Sequence, residues 1–112
     1  MTTETINEIN KTIAEACGWV KIYTDFQGNL VGRHPNGGSA LILLYWQDLN
    51  ACRKMLMALS DHPMDGDVAN YHNYLISICG DEYAAIDATA PQRCQAIISA
   101  LFGHDKWEEL TK

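Results

Sequence analysis

One hundred and twelve residues, 47% of them hydrophobic and 20% charged, suit one globular domain spanning 1–112 and exclude a disordered or low-complexity chain. The net charge of −6 is uneven: from Met55 to Gln92 there is no Lys or Arg but there are six acids, Asp61, Asp65, Asp67, Asp81, Glu82 and Asp87, whereas the remainder carries eight acids against eight bases. An acidic half repels a phosphate backbone, so no direct nucleic-acid binding is expected, and no apolar run reaches the ~20 residues that cross a bilayer, so no membrane association is expected either.

The first predicted element is a helix, with Ile6, Ile9, Ile13 and Ala16 on one stripe. Thr5 and Glu8 fit a capping box, Thr2 or Thr3 would start it one turn earlier, and Gly18 stands where a C-terminal glycine ends it. A hairpin follows: "WVKIYTD" alternates as a strand, "DFQGN" (Asp25 to Asn29) is its turn, and "LVGR" begins the return strand, which Pro35 stops at Arg33 or His34. "ALILLYW" (Ala40 to Trp46) is either a short buried strand or the lead into a second helix, whose stripe is Leu49, Cys52, Leu56 and Leu59, with Asp48 as N-cap and an end near Ser60 or Asp61, before Pro63.

"DHPMDGD" reads as a polar loop. In "VANYHNYLISIC", Val68, Tyr71, Leu75 and Ile78 fit a helix, whereas His72, Tyr74, Ile76 and Ile78 fit one face of a strand; the Ile and Tyr content favours strand for most of the run. "GDE" is then a tight turn and "YAAIDA" pairs back as a second hairpin. Thr89 and Gln92 form a capping box with Pro91 in the first turn of the last helix, striped by Cys94, Ile97, Ile98 and Leu101 and stopped by Gly103. A polar tail follows, with Trp107 and Leu110 able to pin it to the domain. Three helices and about four strands, joined as successive hairpins, predict an α+β fold in layers around a mostly antiparallel sheet.

Motifs for chemistry are sparse. Cys17, Cys52, Cys79 and Cys94 contain no C-x-x-C pair and sit among apolar residues, so they read as four buried free thiols. The four His residues lack metal-ligand spacing, the Ser residues lie in no G-x-S-x-G elbow, and "DHPMDGD" lacks the Asp run and distal Glu of a calcium loop. No enzyme activity, cofactor or metal is expected.

"VGRHPNGGSA" (Val31 to Ala40) is the exception. It has neither the P-loop Lys nor the Rossmann glycine spacing, so it is a turn between strands or a flexible set of N–H groups with Arg33 and His34 as anion contacts. Aromatic residues on or beside the strands, Trp19, Tyr23, Tyr45, Trp46, Tyr71 and Tyr74, either fill the core or stack on a base. The candidate ligand-binding set is Arg33, His34, Asn36, Gly37, Gly38, Ser39, Tyr45 and Trp46.

Three segments together carry a family resemblance: "INKTIAEACGW", "WQDLNACRKM", and "ATAPQRCQAIISALF" followed by "KWEE". With Gly18-Trp19, Asp48-Leu49-Asn50 and Ala88 to Arg93 they resemble the phage ABA sandwich domain family of small tailed-phage proteins, over nearly the whole chain. The resemblance implies an alpha-beta-alpha sandwich of phage or prophage origin, in the host cytoplasm, and no catalytic residues. The N-terminus, "MTTETINEINK", which has no signal-peptide pattern, agrees with a cytoplasmic location. The expected function is a non-catalytic counter-defence protein, a homo-oligomer that sequesters a small cyclic nucleotide signal. The alternatives are an acidic inhibitor of a host nucleic-acid-binding protein and an accessory phage protein without a ligand.

Overall fold

The computed structural model describes residues 2–60 and 66–112, so most of "DHPMDGD", with Asp61, His62 and Asp65, lies outside the described residues. In chain order the elements are α1 (Thr3–Ala16), β1 (Val20–Thr24), β2 (Leu30–Arg33), β3 (Ser39–Leu41), α2 (Leu49–Ser60), α3 (Gly66–Cys79), α4 (Glu82–Ile86), α5 (Ala90–Phe102) and α6 (His104–Leu110). The fold is α+β with a three-stranded antiparallel sheet of order β1-β2-β3. Among the described residues there are therefore three strands and six helices rather than four and three.

The difference lies in the second half. The run from Val68 to Cys79, expected as strand, belongs to α3, which buries Tyr71 and Leu75 and half-buries Ile78 of the helical stripe, with Tyr74 and Ile76 half-buried beside them. Packing of that stripe on α5 overrides the strand preference of Ile and Tyr. "YAAIDA" forms no hairpin. Gly80, at φ 104°, ends α3, and Asp81 then caps α4, its Oδ1 accepting the Ala84 N–H at 2.7 Å. An Asp followed by helix-forming residues was the signal for that helix. Arg93 clamps the far end of α4: Nε donates to the Ala88 carbonyl at 3.1 Å and Nη2 to the Ile86 carbonyl at 3.2 Å.

The other helix signals hold. Thr2 caps α1 by accepting the Thr5 N–H, the earlier of the two starts. Asp48 Oδ1 accepts the Asn50 N–H at 2.8 Å at the head of α2. Thr89 and Gln92 form the capping box of α5, and Gly103 ends it at φ 92°. The stripe of α2 is rotated from the expected one: Ala51, Cys52 and Met55 are buried and Leu49 is half exposed. The tail beyond Gly103 is a helix, and Trp107 is buried. Cys52 and Cys94 are buried, Cys17 and Cys79 only partly so, and all four are free thiols. No helix among the described residues is long and apolar enough to cross a membrane.

The core gathers Ile9, Ile13, Leu30, Ile42, Tyr45, Met55, Tyr71, Leu75, Ile97 and Ile98 around α5, which packs on α1, α2, α3 and α6. Complete burial of each large aliphatic side chain contributes about 1.5–3 kcal/mol. The sheet gives it only one face. Gly32 has room for nothing larger on that side, since a Cβ would lie 3.0 Å from Ile42 Cδ1 and 3.1 Å from Ile22 Cγ1. On the other face the rungs Val20–Arg33–Ser39 and Tyr23–Val31–Leu41 stand side by side. Val20 and Tyr23 share it because β1 bulges between them, with Lys21 turned to φ 53°.

Candidate functional site

The glycine-rich stretch is a hairpin turn between β2 and β3. The His34 carbonyl accepts the Gly37 N–H at 2.8 Å, and the His34 N–H donates to the Gly38 carbonyl at 3.0 Å. Gly37 and Gly38 have φ of 91° and 83°, and an added Cβ at either would meet no atom within 4 Å; backbone conformation, not space, requires glycine there. No helix N-terminus follows the glycines, so the arrangement is unlike a P-loop.

The tip of this hairpin is seated on the end of α1. Gly18 has φ 99°, and a Cβ on it would lie 3.2 Å from Pro35 Cγ. That close approach brings His34 edge-on to Trp19, with ring centroids 4.9 Å apart and planes at 73°. The Asn36 N–H donates to His34 Nδ1 at 3.0 Å, which leaves Nε2 to carry the proton of the neutral ring.

A cleft of about 530 Å³ opens between this tip and α2. Trp19, His34, Pro35 and Asn36 form one wall, Cys17, Leu43 and Tyr45 the floor, and Lys54, Met57 and Ala58 the other wall. Ligand sites of small molecules commonly fall in the range of roughly 300–1,000 Å³, mostly apolar with a few convergent polar groups. Here those are His34, Asn36 and the Lys54 ammonium.

The floor is held neutral. Burial pushes the Cys17 thiol up to about 11, partly offset by its hydrogen bond with Tyr45. Burial, then the neighbouring Cys17, raises the Tyr45 phenol far above its ordinary value, and Trp19, whose indole N–H can only donate, offsets part of this. Behind the floor, Cys52 Sγ donates to the Tyr45 carbonyl at 3.1 Å. On its other flank Asn10, fully buried on α1, accepts the Trp46 N–H through Oδ1 at 2.9 Å. Tyr45 is thus fixed from three directions.

The eight sequence-derived residues do not share one cleft. His34, Asn36 and Tyr45 line the one just described. Arg33, Gly38 and Ser39 line a separate one of about 290 Å³ with Lys21, Tyr23 and Gly32, because neighbouring side chains along a strand point to opposite faces. Gly37 borders neither, and Trp46 stacks on Trp107 with centroids 6.1 Å apart and planes at 22°. Of the strand-associated aromatic residues, Tyr71 and Tyr74 prove to be on α3. Sequence reasoning missed Cys17, Lys54 and Met57 as partners of the hairpin tip. Lys54, Met57 and Ala58 do stand at i, i+3, i+4 on α2, but only the tertiary fold says what that face meets.

Among the described residues no group of three His, Cys, Asp or Glu side chains is placed to hold a metal ion. No protein-family model, curated protein or solved structure matches this chain.

Proposed function

We propose that the protein is a non-catalytic binding protein that sequesters a small anionic nucleotide in the cleft between the hairpin tip and α2. The observation that carries this is the opposition of an aromatic wall, Trp19 with His34, to the ammonium of Lys54 across a cleft of ligand size. A base takes the ring side and a phosphate the cation side. Burial keeps the Cys17 thiol at the cleft floor protonated, so it does not act as a nucleophile on a captured ligand.

The resemblance to phage ABA sandwich proteins supports a layered sandwich architecture and a phage or prophage protein acting in the host cytoplasm. In that setting the ligand is a cyclic nucleotide made by a bacterial defence system, and capture without turnover silences it. A homo-oligomer suits this role, since small subunits deepen a cleft where they meet.

Calorimetric titration with cyclic dinucleotides, cyclic trinucleotides and cyclic ADP-ribose isomers tests the reading. One class should bind. Lys54→Ala should weaken it at least tenfold, since a charge-assisted hydrogen bond is worth about 1.5–3 kcal/mol. His34→Ala should weaken it less, without loss of fold. Full affinity in both variants would place the ligand elsewhere.

A further inference from the structure

An antiparallel sheet can leave one face in water when that face is polar. The outer face of this one is largely apolar, with Arg33 and Ser39 as its polar end. Val20, Tyr23 and Leu41 are 52%, 58% and 63% exposed and stand beside the half-buried Val31. At one end of the apolar strip are Lys21 and Arg33, which have no ion-pair partner among the described residues. The bulge that puts Lys21 at φ 53° is also what keeps Val20 and Tyr23 on this face, so the local strain maintains an exposed apolar strip.

A second surface of the same chain has the opposite character. The short helix α4 has no buried residue; Tyr83 is 85% and Ile86 72% exposed. Asp81, Glu82 and Asp87, all exposed, flank these two side chains along the chain, and Arg93, which with Arg53 borders the groove at Ile86 and Asp87, hydrogen-bonds the carbonyls at its C-terminal end. Each surface therefore combines apolar side chains with charge: basic on the sheet, and on α4 three carboxylates against the two arginines, Arg53 and Arg93, at its C-terminal side.

We propose that a second copy of this chain covers the bare sheet, seating its α4 on the face lined by Val20, Tyr23 and Leu41 with Asp81, Glu82 and Asp87 against Lys21 and Arg33. The sheet then gains the helical layer it lacks. The contact joins two different surfaces, so it is repeated head to tail into a closed ring or paired reciprocally across a two-fold axis. Packing sheet on sheet instead would leave both pairs of cations without counter-charge. The inference rests on the reading of the chain as a homo-oligomer and makes no use of the nucleotide cleft.

The test is analytical ultracentrifugation of the purified chain across a micromolar concentration series, with Arg33→Glu and Glu82→Arg alone and mixed. The chain should self-associate, more weakly at high salt. Each variant should lose association at least tenfold while keeping its circular dichroism and urea midpoint, since both side chains are exposed; Lys21→Glu replaces Arg33→Glu should the latter misfold. Mixing the two variants leaves one intact sheet and one intact α4, and should restore a dimer. A wild-type chain that stays monomeric overturns the proposal and frees the α4 surface for a foreign basic protein. An assembly indifferent to both charge reversals overturns it as well. Nucleotide capture measured on the same samples separates the two readings: intact capture with unaltered assembly in both variants refutes only the docking, and absent capture with charge-dependent assembly refutes only the ligand.

Discussion

Replacing Asn10 by Ala tests how the cleft floor is built. Asn10 is fully buried, its Oδ1 accepts the Trp46 N–H at 2.9 Å, and its Nδ2 donates to Gln47 Oε1 at a longer 3.4 Å. Truncation removes one good hydrogen bond, about 1 kcal/mol net, and strands a partly buried amide N–H at a further ~1–2 kcal/mol. The weak second bond adds little, so the expected loss is about 2–3 kcal/mol. With about 2.1 cal/mol/K of unfolding entropy per residue, a chain of this length loses ~4 °C in Tm per kcal/mol, so the melting point should fall by roughly 8–13 °C. Urea denaturation followed by tryptophan fluorescence gives the free energy directly. Asn10→Asp is the control, because it keeps the acceptor. It should be destabilised at pH 7, where a buried carboxylate is unfavourable, and should recover relative to wild type at pH 4, where that carboxyl is protonated. A stability for Asn10→Ala within about 0.5 kcal/mol of wild type, the spread among neutral surface substitutions, would refute the role given to this side chain.

Other substitutions have equally definite signs. Gly32→Ala should destabilise by about 1–3 kcal/mol in the same urea assay, because the new Cβ would press on Ile42 and Ile22 at 3.0 and 3.1 Å. Ser99→Ala should stabilise by about 0.5–1 kcal/mol, since its buried Oγ has no hydrogen-bond partner and Ala is the better helix former. Stability should hold up to about pH 8 and fall as pH rises from 9 towards 11. There the unfolded Cys17 thiol ionises at its ordinary value of 9.0 while the folded one, pushed up to about 11, keeps its proton, so the unfolded state is favoured. Cys17→Ala should make that decline shallower, with the Cys94 thiol and the Tyr45 and Tyr71 phenols, all raised in the folded chain, contributing what remains.

What could be read from the sequence was local. Thr89 with Gln92, Asp48, Gly18 and Gly103 mark helix ends by hydrogen bonds made within four residues, and each stands where expected. The Asp25–Asn29 turn is likewise self-contained, with Asp25 Oδ1 accepting the Gln27 and Asn29 N–H groups. Tyr71 and Leu75 carry a pattern compatible with either period, and the choice is made by α5, a distant partner. Asp81 is a short-range signal overlooked beside Gly80. The site divides the same way. The turn at Pro35, Asn36 and Gly37 follows from residue type, whereas its contact with Gly18 and the opposition of His34 to Lys54 depend on where α1 and α2 come to rest. The alternation that separates Arg33 from His34 follows once β2 is accepted as a strand, and it divides one predicted patch between two separate clefts.

Native mass spectrometry of the protein, alone and after mixing with cyclic dinucleotides, cyclic trinucleotides and cyclic ADP-ribose isomers, tests sequestration most directly. The expected result is a defined oligomer that gains the mass of an intact nucleotide and releases it unchanged when the protein is denatured. A protein that gains no mass across that panel, or that releases a cleaved product, would contradict it.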